Sequence, residues 1–265
     1  MVNIHKTAIV EKGAEIAEGC NVGPFCYVGS KVKLHKNVKL ISSVHIVGNT
    51  EVGEGTEIFP FSVIGVKPQD LKYKGEETKI IIGKNTSIRE HVTVHLATGS
   101  GVTSIGDNCL LMVACHVAHD VHIGNHVIID NNVLLAGHVS VDDYAIIGGG
   151  SGIHQFCRIG SYAFIGGMSG VGSDIVPFAL FAGVRDSERI NGVNLIGLRR
   201  AGYSKEEIHE VNQAYDILFD KTDIFQNNIE KLQKKFTDSK LVNKIISFIN
   251  AERSRNICTA YRKNI

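Results

Sequence analysis

The sequence predicts an all-β parallel β-helix followed by a small α-helical domain. An aliphatic residue recurs at every sixth position, and a small or β-branched residue follows it four positions later. This period stops after Pro177, where a helical period replaces it. A period of six matches neither the 3.6 residues of a helix nor the alternation of an ordinary strand, so it indicates a repeat architecture. We expect the β-helix over residues 1–190 and the helical domain over residues 191–265.

The sixfold repeat runs through most of the chain in three blocks. Its twenty-five aliphatic positions are Val10, Ile16, Val22, Val28, Leu34, Leu40, Ile46, Val52, Ile58 and Ile64, then Ile82, Ile88 and Val94, then Ile105, Leu111, Val117, Ile123, Ile129, Leu135, Val141, Ile147, Ile153, Ile159, Ile165 and Val171. Both repeating positions should point inward, with three hexads forming one coil and coils stacked about 4.8 Å apart. Hexapeptide repeats of this kind resemble the left-handed parallel β-helix, an exception to the right-handed crossover rule.

Two interruptions of the repeat predict loops that leave the β-helix. The first, near residues 66–81, keeps the phase of six but has Asp70 and Glu76 where aliphatic residues are expected. The second, near residues 99–104, adds five residues and shifts the register. Loops on a rigid scaffold often carry functional sites, although a tolerated insertion is the alternative.

The C-terminal part has the signals of three amphipathic helices. Ser204 followed by Glu207 forms a capping box, which marks a helix start. The apolar stripes are Ile208, Val211, Tyr215 and Leu218, then Phe225, Ile229, Leu232 and Phe236, then Val242, Ile245, Ile246 and Ile249. The preceding stretch, from Phe178 to Tyr203, is interpreted as a connection.

Composition limits the function classes. With a net charge of +1 and 43% hydrophobic residues, the chain carries no global attraction toward nucleic acid, so a nucleic-acid partner is not expected. The sequence has neither a long apolar run nor an apolar signal core, so we expect a cytoplasmic protein without a membrane span.

A histidine cluster follows the second interruption. His116, His119 and His122 recur every three residues at outward positions, so we do not expect a buried core histidine. One coil of eighteen residues carries His119 to Gly137, and a second carries Gly137 to Gln155. These three residues should therefore form a column on the outside of the β-helix, with a rise of about 4.8 Å per coil.

The residues of this column and their neighbours suit catalysis of acyl transfer. A histidine can take a proton from an attacking hydroxyl, and the adjacent Asp120, which maps onto His138 one coil later, would orient the ring or stabilise its charged form. The backbone N–H of Gly137 would stabilise an oxyanion. The residues favour direct attack of an alcohol on a thioester, without a covalent enzyme intermediate.

Specific motifs then link the chain to a known family. It resembles the UDP-N-acetylglucosamine O-acyltransferases that open lipid A biosynthesis, through QDLKYKGE (69–76), HVAHD (116–120), LAGHVSVDDYAIIGG (135–149), HQFC (154–157) and GVNLIGLRR (192–200). The resemblance implies transfer of a 3-hydroxyacyl group from acyl carrier protein to the glucosamine 3-hydroxyl of UDP-N-acetylglucosamine. It implies no cofactor, because the phosphopantetheine thioester of the carrier protein is the donor substrate. It also implies a homotrimer with active sites in clefts between neighbouring prisms.

The resemblance also implies roles for individual residues. The catalytic residues would be His119 as general base, Gly137 as oxyanion donor and Asp120. The substrate-binding residues would be Asp70, Lys72, His116, His138, Gln155, Gly167, Asn194 and Arg200, with Gly167 where the family regulates acyl length. Ile196 and Ala201 depart from the family pattern, in which a glutamate and a basic residue are common at these two positions. These departures weaken the expectation that Asn194 and Arg200 hold the nucleotide end of the substrate.

Three alternatives remain at the level of sequence. Some relatives acylate a 3-amino sugar nucleotide and form an amide. The β-helix also hosts γ-class carbonic anhydrases, and His116, His119 and His122 would then be zinc ligands, provided that they converge. Finally, the protein could be a non-catalytic scaffold. No metal is expected in the favoured interpretation.

Overall fold

Short parallel strands stacked into a three-sided prism form most of the molecule, and helices follow them. The computed structural model describes residues 1–183, 187 and 189–261. Most strands contain two residues, because each hexad contributes one short strand and one corner. The predicted fold class, a left-handed parallel β-helix followed by α-helices, is confirmed.

The strands fall into the three blocks that the hexads predict. Before the first loop come β1 (Asn3–Ile4), β2 (Ile9–Val10), β3 (Glu15–Ile16), β4 (Asn21–Val22), β5 (Tyr27–Val28), β6 (Lys33–Leu34), β7 (Lys39–Leu40), β8 (His45–Ile46), β9 (Asn49–Val52), β10 (Glu57–Ile58) and β11 (Val63–Val66). Between the loops come β12 (Lys79–Ile82), β13 (Ser87–Ile88) and β14 (Thr93–His95). After the second loop come β15 (Val102–Ile105), β16 (Leu110–Leu111), β17 (His116–Val117), β18 (His122–Ile123), β19 (Ile128–Ile129), β20 (Leu134–Leu135), β21 (Ser140–Val141), β22 (Ile146–Ile147), β23 (Gly152–Ile153), β24 (Arg158–Ile159), β25 (Phe164–Ile165), β26 (Gly170–Val171), β27 (Ala179–Ala182) and β28 (Arg189–Val193).

Every third strand belongs to the same face of the prism. Sheet one begins with β1, β4 and β7, sheet two with β2, β5 and β8, and sheet three with β3, β6 and β9. Pairing within each face is parallel and in register, apart from the antiparallel pair of β27 with β28 at the end of sheet one. Within an uninterrupted block each residue pairs with the residue eighteen positions later, as His116 does with Leu134.

The core is a single column of aliphatic side chains inside the prism. The second residue of each two-residue strand points inward, and most of these residues are fully buried, as at Val117 and Leu135. The small inward positions hold thiols and hydroxyls that bond to backbone oxygens, for example Thr56 Oγ1 to Gly83 O at 2.8 Å. Since the strands contribute little individually, stacking of inward side chains stabilises the coils collectively.

Neither loop has the bounds that the sequence predicts: the first is shorter, and the second begins and ends earlier in the chain. The first lies between Val66 and Lys79 and the second between His95 and Val102. The differences arise because β12 and β15 extend into the expected loop segments. In β15 the inward residues are Ile105, which belongs to the sixfold repeat, and Thr103, whose fully buried polar side chain hides the early start of the strand from a search for aliphatic residues. The predicted insertion of five residues is confirmed, since Thr93 pairs with His116, twenty-three positions later.

Four helices are described after the prism: α1 (Leu195–Arg200), α2 (Lys205–Leu218), α3 (Phe225–Lys235) and α4 (Lys240–Asn250). The capping box of Ser204 and Glu207 is present at the start of α2. Helix α1 lies in the stretch that was interpreted as a connection, because six residues are too few to show a helical period. Strand β28 crosses the expected boundary between residues 190 and 191, and the division into two domains stays a prediction. No helix in the described ranges is long and apolar enough to cross a membrane.

Two neighbouring isoleucines of β12 test the inward packing. We expect Ile82→Ala to lower the free energy of unfolding by about 2–5 kcal/mol, because the side chain is 1% exposed and its loss leaves a cavity. Ile81, which is 39% exposed, is the matched control, and Ile81→Ala should cost much less. Urea unfolding at equal protein concentration measures both. Equal losses would contradict the inward assignment.

Candidate active site

Both loops leave the prism at the same edge, between sheets two and three. The first runs from β11 of sheet two to β12 of sheet three, and the second from β14 to β15, which belong to the same two sheets. The two loops contact each other through Thr78 Oγ1, which donates to Ala97 O at 2.9 Å. This edge therefore carries extra chain on an otherwise regular prism.

Asp120 is at this edge and anchors the second loop. Its φ of 58° is in the left-handed region, which aspartate tolerates better than most residues. Its backbone N–H donates to Thr103 Oγ1 at 3.0 Å, and its carboxylate Oδ2 accepts from Thr98 Oγ1 at 2.7 Å and Thr98 N at 3.1 Å. Burial alone would raise the pKa of this carboxyl, but the hydrogen bonds from Thr98 and His119 outweigh it, so the pKa is lowered and the carboxylate is charged.

His119 is held by this carboxylate. Its Nδ1 lies 2.9 Å from Asp120 Oδ2. A carboxylate only accepts hydrogen bonds, so Nδ1 carries the proton in the neutral ring and Nε2 presents its lone pair. The expectation that this histidine is not buried is wrong, because it is 8% exposed. Its position does face outward, but Asp120 and the neighbouring coil cover the ring.

Gly137 lies against the other end of the same ring. A Cβ placed on this glycine would lie 2.4 Å from His119 Cε1 and 2.6 Å from His119 Nε2. Any side chain would therefore displace the ring. Within the described residues the Gly137 N–H has no backbone acceptor, whereas the following N–H, of His138, donates to His119 O at 3.0 Å. The predicted column of His119 and Gly137 is thus a direct contact, with an available N–H beside the imidazole.

His138 completes the edge one coil above Asp120. Its Nε2 lies 3.7 Å from Asp120 Oδ2, and its ring stacks on Phe156 with centroids 4.7 Å apart. Burial lowers the pKa of His138, and the carboxylates of Asp120 and Asp70 oppose that shift.

A second pair of imidazoles lies beside His119 on sheet two. His116 Nδ1 is 2.7 Å from Thr93 Oγ1, and the His116 ring meets His95 edge to face with centroids 4.7 Å apart. Burial lowers the pKa of His116, and it lowers that of His95 to about 4. His95 is 6% exposed, and its Nδ1 has no hydrogen-bond partner in the described part of the chain.

These residues line an open groove of about 900 Å³ along sheet two. His119 and Gly137 are among the lining residues, as is Gln69 of the first loop. The remaining lining residues are Thr93, His95, His116, Ala118, Leu134, Leu135, Ala136, Gly152, Ile153, His154, Gly170, Val171 and Gly172. The groove therefore presents an imidazole base, a free N–H and an apolar floor to a ligand.

The remaining predicted substrate residues have different positions. Lys72 is exposed in the first loop, where its N–H donates to Asp70 Oδ1 at 2.8 Å. Gln155 is one coil above Gly137, and its carbonyl accepts from Arg255 Nε at 2.9 Å. Neither residue lines the groove of this chain.

Three predicted residues lie away from this edge. Gly167 is at the edge between sheets one and two, and Asn194 caps α1 at the edge between sheets three and one. The Asn194 side chain donates to Tyr162 O and accepts from Gly197 N, both at 3.0 Å. Arg200 is exposed at the end of α1. A single chain does not bring these residues to His119.

Within the described residues of one chain, His116, His119 and His122 do not converge on a common point. His122 is on β18 of sheet three, where its Nδ1 is 2.9 Å from Ser104 Oγ, and it lines a separate cavity beside α4. The described side chains that approach within ligand distance are instead His119, Asp120 and His138, whose ligand atoms lie within 4.8 Å of one another. The hydrogen bond between His119 and Asp120 and the approach of His138 to the same carboxylate account for this grouping.

Sequence reasoning missed several residues of the site. Thr98 directly precedes the predicted second loop, and only the neighbouring register shift marks it. His95 carries no motif, although its place at the end of β14 puts it one coil below the histidine cluster. Arg255 reaches His154 Nδ1 at 2.6 Å from the C-terminal segment, a contact between residues 101 positions apart for which the sequence offers no signal.

Comparison with known proteins supports the resemblance seen in the motifs. Two family profiles match, one described as "Udp N-acetylglucosamine O-acyltransferase; Domain 2" over residues 174–258 and one as "Bacterial transferase hexapeptide (six repeats)" over residues 103–137. The chain is 43% identical over 261 residues to the acyl-(acyl-carrier-protein)–UDP-N-acetylglucosamine O-acyltransferase of Rhizobium etli, covering 98% of this chain and 95% of that protein. It is 50% identical over 221 residues to the Burkholderia lata protein of the same name, covering 83% and 84% of the two chains. The crystal structure of Francisella novicida UDP-N-acetylglucosamine acyltransferase superposes with a TM-score of 0.93 at 35% identity, covering 98% of this chain and 94% of that one.

These similarities extend well beyond the repeats. The profile over residues 174–258 covers a region with no hexads, so its match does not depend on the shared coil. Identity of 43% over 98% of the chain identifies a family as well as a fold. The chain therefore belongs to the UDP-N-acetylglucosamine O-acyltransferase family.

Proposed function

We propose that this protein transfers a 3-hydroxyacyl group from acyl carrier protein to the glucosamine 3-hydroxyl of UDP-N-acetylglucosamine, the first step of lipid A biosynthesis. The names of its full-length relatives support the donor and the acceptor. The observation that carries the proposal is the contact between His119 and Gly137, with Asp120 behind the ring. It provides a base and an oxyanion donor side by side.

His119 acts as the general base. Because Asp120 accepts its Nδ1 proton, Nε2 is the atom that can take a proton. Nε2 also lies on the Gly137 side of the ring, toward the groove. The sugar 3-hydroxyl approaches from the groove, and its oxygen attacks the thioester carbonyl as the proton moves to Nε2.

Gly137 stabilises the charge that develops on the carbonyl oxygen. Its N–H has no backbone acceptor in the described chain, so it can donate to the oxyanion without losing another bond. Collapse of the tetrahedral intermediate breaks the carbon–sulfur bond and releases the phosphopantetheine thiolate, which takes the proton back from His119. The products are the 3-O-acylated sugar nucleotide and the free thiol of the carrier protein.

The surrounding imidazoles add no positive charge to the site. Burial lowers the pKa values of His95, His116 and His138, so these rings are neutral near pH 7. The charged group next to His119 is the Asp120 carboxylate, whose Oδ2 lies 2.9 Å from His119 Nδ1.

The sugar nucleotide is proposed to occupy the end of the groove near the first loop. Gln69 of the first loop lines the groove, which supports a role for the neighbouring Asp70 and Lys72 in holding the sugar nucleotide. Asn194 and Arg200 sit elsewhere on the same chain, so we propose that they serve the groove of a neighbouring protomer.

A homotrimer would provide that neighbour. Support comes from the outward side of sheet one, where partly exposed apolar residues follow one another in successive coils: Leu110, Ile128, Ile146 and Phe164. Such a stripe is unusual on a free surface and fits burial against another copy of the chain.

The reaction can be tested directly with purified protein. Incubation with 3-hydroxyacyl carrier protein and UDP-N-acetylglucosamine, or its 3-amino analogue, should yield an acylated sugar nucleotide whose mass identifies ester or amide. We expect the ester, and His119→Ala should lower the rate by about 10²- to 10⁴-fold because the base is lost. His122→Ala is the matched control, since that histidine faces another sheet, and it should keep the wild-type rate. Absence of product from every donor and acceptor would refute the proposal.

Asp120→Asn tests whether catalysis needs the correct orientation and tautomer of His119 as well as its presence. The amide can donate to His119 Nδ1, which moves the ring proton to Nε2 and removes the acceptor lone pair, so we expect kcat to fall by about 10²-fold or more. Asp238→Asn, on the exposed surface between α3 and α4, should leave kcat unchanged. An Asp120→Asn enzyme with wild-type kcat would mean that the carboxylate does not set the tautomer.

The buried His95 predicts how stability depends on pH. Its pKa is about 4 in the folded state against 6.5 for an unperturbed histidine, so between these values only the unfolded chain binds the proton. The contribution of His95 to stability is thus present above pH 6.5 and is lost as the pH falls toward 4. We expect wild type to lose about 2 kcal/mol more than His95→Phe between pH 7 and pH 5, measured by urea unfolding. His209→Phe, at an exposed site on α2, should behave as wild type, and an unchanged pH dependence in His95→Phe would contradict the assignment.

A further inference from the structure

After α4 the C-terminal segment of the chain returns to the β-helix and is fixed there by backbone pairing. The Asp174 N–H donates to Asn256 O at 2.8 Å, and the Cys258 N–H donates to Asp174 O at 2.9 Å. Asp174 is fully buried, and Ile257, which lies between the two pairing residues, is 7% exposed. This pairing fixes the place of Arg255, which directly precedes Asn256 in the chain.

The Arg255 guanidinium bonds to two neighbouring residues of the β-helix. Its Nε donates to Gln155 O at 2.9 Å, and its Nη2 lies 2.6 Å from His154 Nδ1. A guanidinium group only donates hydrogen bonds, so His154 Nδ1 must accept this one. The neutral His154 ring therefore carries its proton on Nε2.

The other tautomer of His154 also has a partner within the chain. His154 Nδ1 lies 3.3 Å from Gln155 O, so a proton on Nδ1 could be donated to that carbonyl. Such a proton would face the guanidinium, which has no lone pair to accept it. Among the described contacts of the His154 ring, Arg255 is the one with a charged or titratable group. Arg255 is thus the residue that selects between the two tautomers.

His154 belongs to the groove, whereas Arg255 does not. The His154 ring is exposed and is one of the lining residues, and Arg255 is absent from that lining. Within the described residues His154 Nε2 has no hydrogen-bond partner, and it is the remaining polar atom of the ring. The groove therefore receives an N–H donor whose tautomer is set from behind by a residue that does not line it.

We infer that Arg255 is a positioning residue that holds His154 in the tautomer whose Nε2–H donates to an oxygen of the bound substrate. This inference rests on the proposed acyl transfer and adds a residue that acts through His154. Both substrates offer acceptors, since the 3-hydroxyacyl group has a hydroxyl oxygen and the sugar nucleotide has hydroxyl and diphosphate oxygens.

The bond made by His154 lies away from the reacting carbonyl. His154 is two coils beyond Ala118, the residue before His119, which corresponds to a distance of roughly 10 Å along the β-helix. A bond at that distance is formed in the bound substrate as well as in the transition state. Its loss should therefore raise KM more than it lowers kcat.

Steady-state kinetics of Arg255→Met between pH 6 and pH 8 test the inference. Without the guanidinium the His154 proton can move to Nδ1 and bond to Gln155 O, so at pH 8 we expect kcat/KM to fall by about 10-fold, the scale of one hydrogen bond. At pH 6 a protonated ring carries hydrogen on both nitrogens, so the deficit relative to wild type should shrink to about twofold. The substrate whose KM rises identifies which of the two supplies the oxygen.

Two further variants separate this role from a structural one. Arg255→Lys keeps the charge and one donor for Nδ1, so it should restore most of the lost kcat/KM. Arg253→Met is the matched control, because Arg253 is exposed two positions earlier in the same segment, and it should keep wild-type kinetics at both pH values. A deficit of Arg255→Met that is equal at pH 6 and pH 8 would overturn the inference.

The tautomer itself can be measured without turnover. Nitrogen-15 NMR of the ring nitrogens, with the His154 signals assigned from His154→Gln, should show the proton on Nε2 in ligand-free wild type and on Nδ1 in Arg255→Met. A proton on Nδ1 in wild type would overturn the inference even if Arg255→Met does not fold. A wild type that gives no product would refute the proposed function, whereas a His154 ring protonated on Nε2 would still support the role of Arg255.

Discussion

In-register stacking of successive coils is the constraint on which the site depends. Each coil of eighteen residues places equivalent residues directly above one another. His119 and Gly137 are therefore in contact because they occupy equivalent positions in two successive coils. The geometry is held by the aliphatic core and by the ladder hydrogen bonds of three sheets, which leave little freedom at any one level. A base and an N–H donor are thus fixed by the scaffold before a substrate binds.

The irregular parts of the chain supply what the regular stack lacks. The second loop places Thr98 against Asp120, and Asp120 in turn fixes the tautomer of His119. Without that loop the carboxylate would lose two of its donors and the histidine its orientation. The first loop contributes Gln69 to the lining of the groove, so both insertions serve the same edge of the prism. Their common position follows from topology, because both connect sheet two to sheet three.

Much of this arrangement was predictable from the sequence, for a physical reason. A strict period links sequence position to spatial position, so adding eighteen to His119 locates Gly137 without any structure. The capping box at Ser204 was equally predictable from the sequence, because a helix cap depends only on residues that are close together in the chain. Prediction failed where contacts are not periodic. Thr103 hid the early start of β15, α1 was too short to show a period, and Arg255 meets His154 across 101 residues. The burial of His119 also escaped prediction, since an outward position says nothing about what covers it.

The most direct test of the central claim is a crystal structure of the protein with the acylated sugar nucleotide bound. The account predicts that His119 Nε2 lies within hydrogen-bond distance of the sugar O3, with Gly137 N at about 2.7–3.1 Å from the acyl carbonyl oxygen. A product bound away from the edge between sheets two and three, or with His119 Nε2 turned from the ester, would contradict the account.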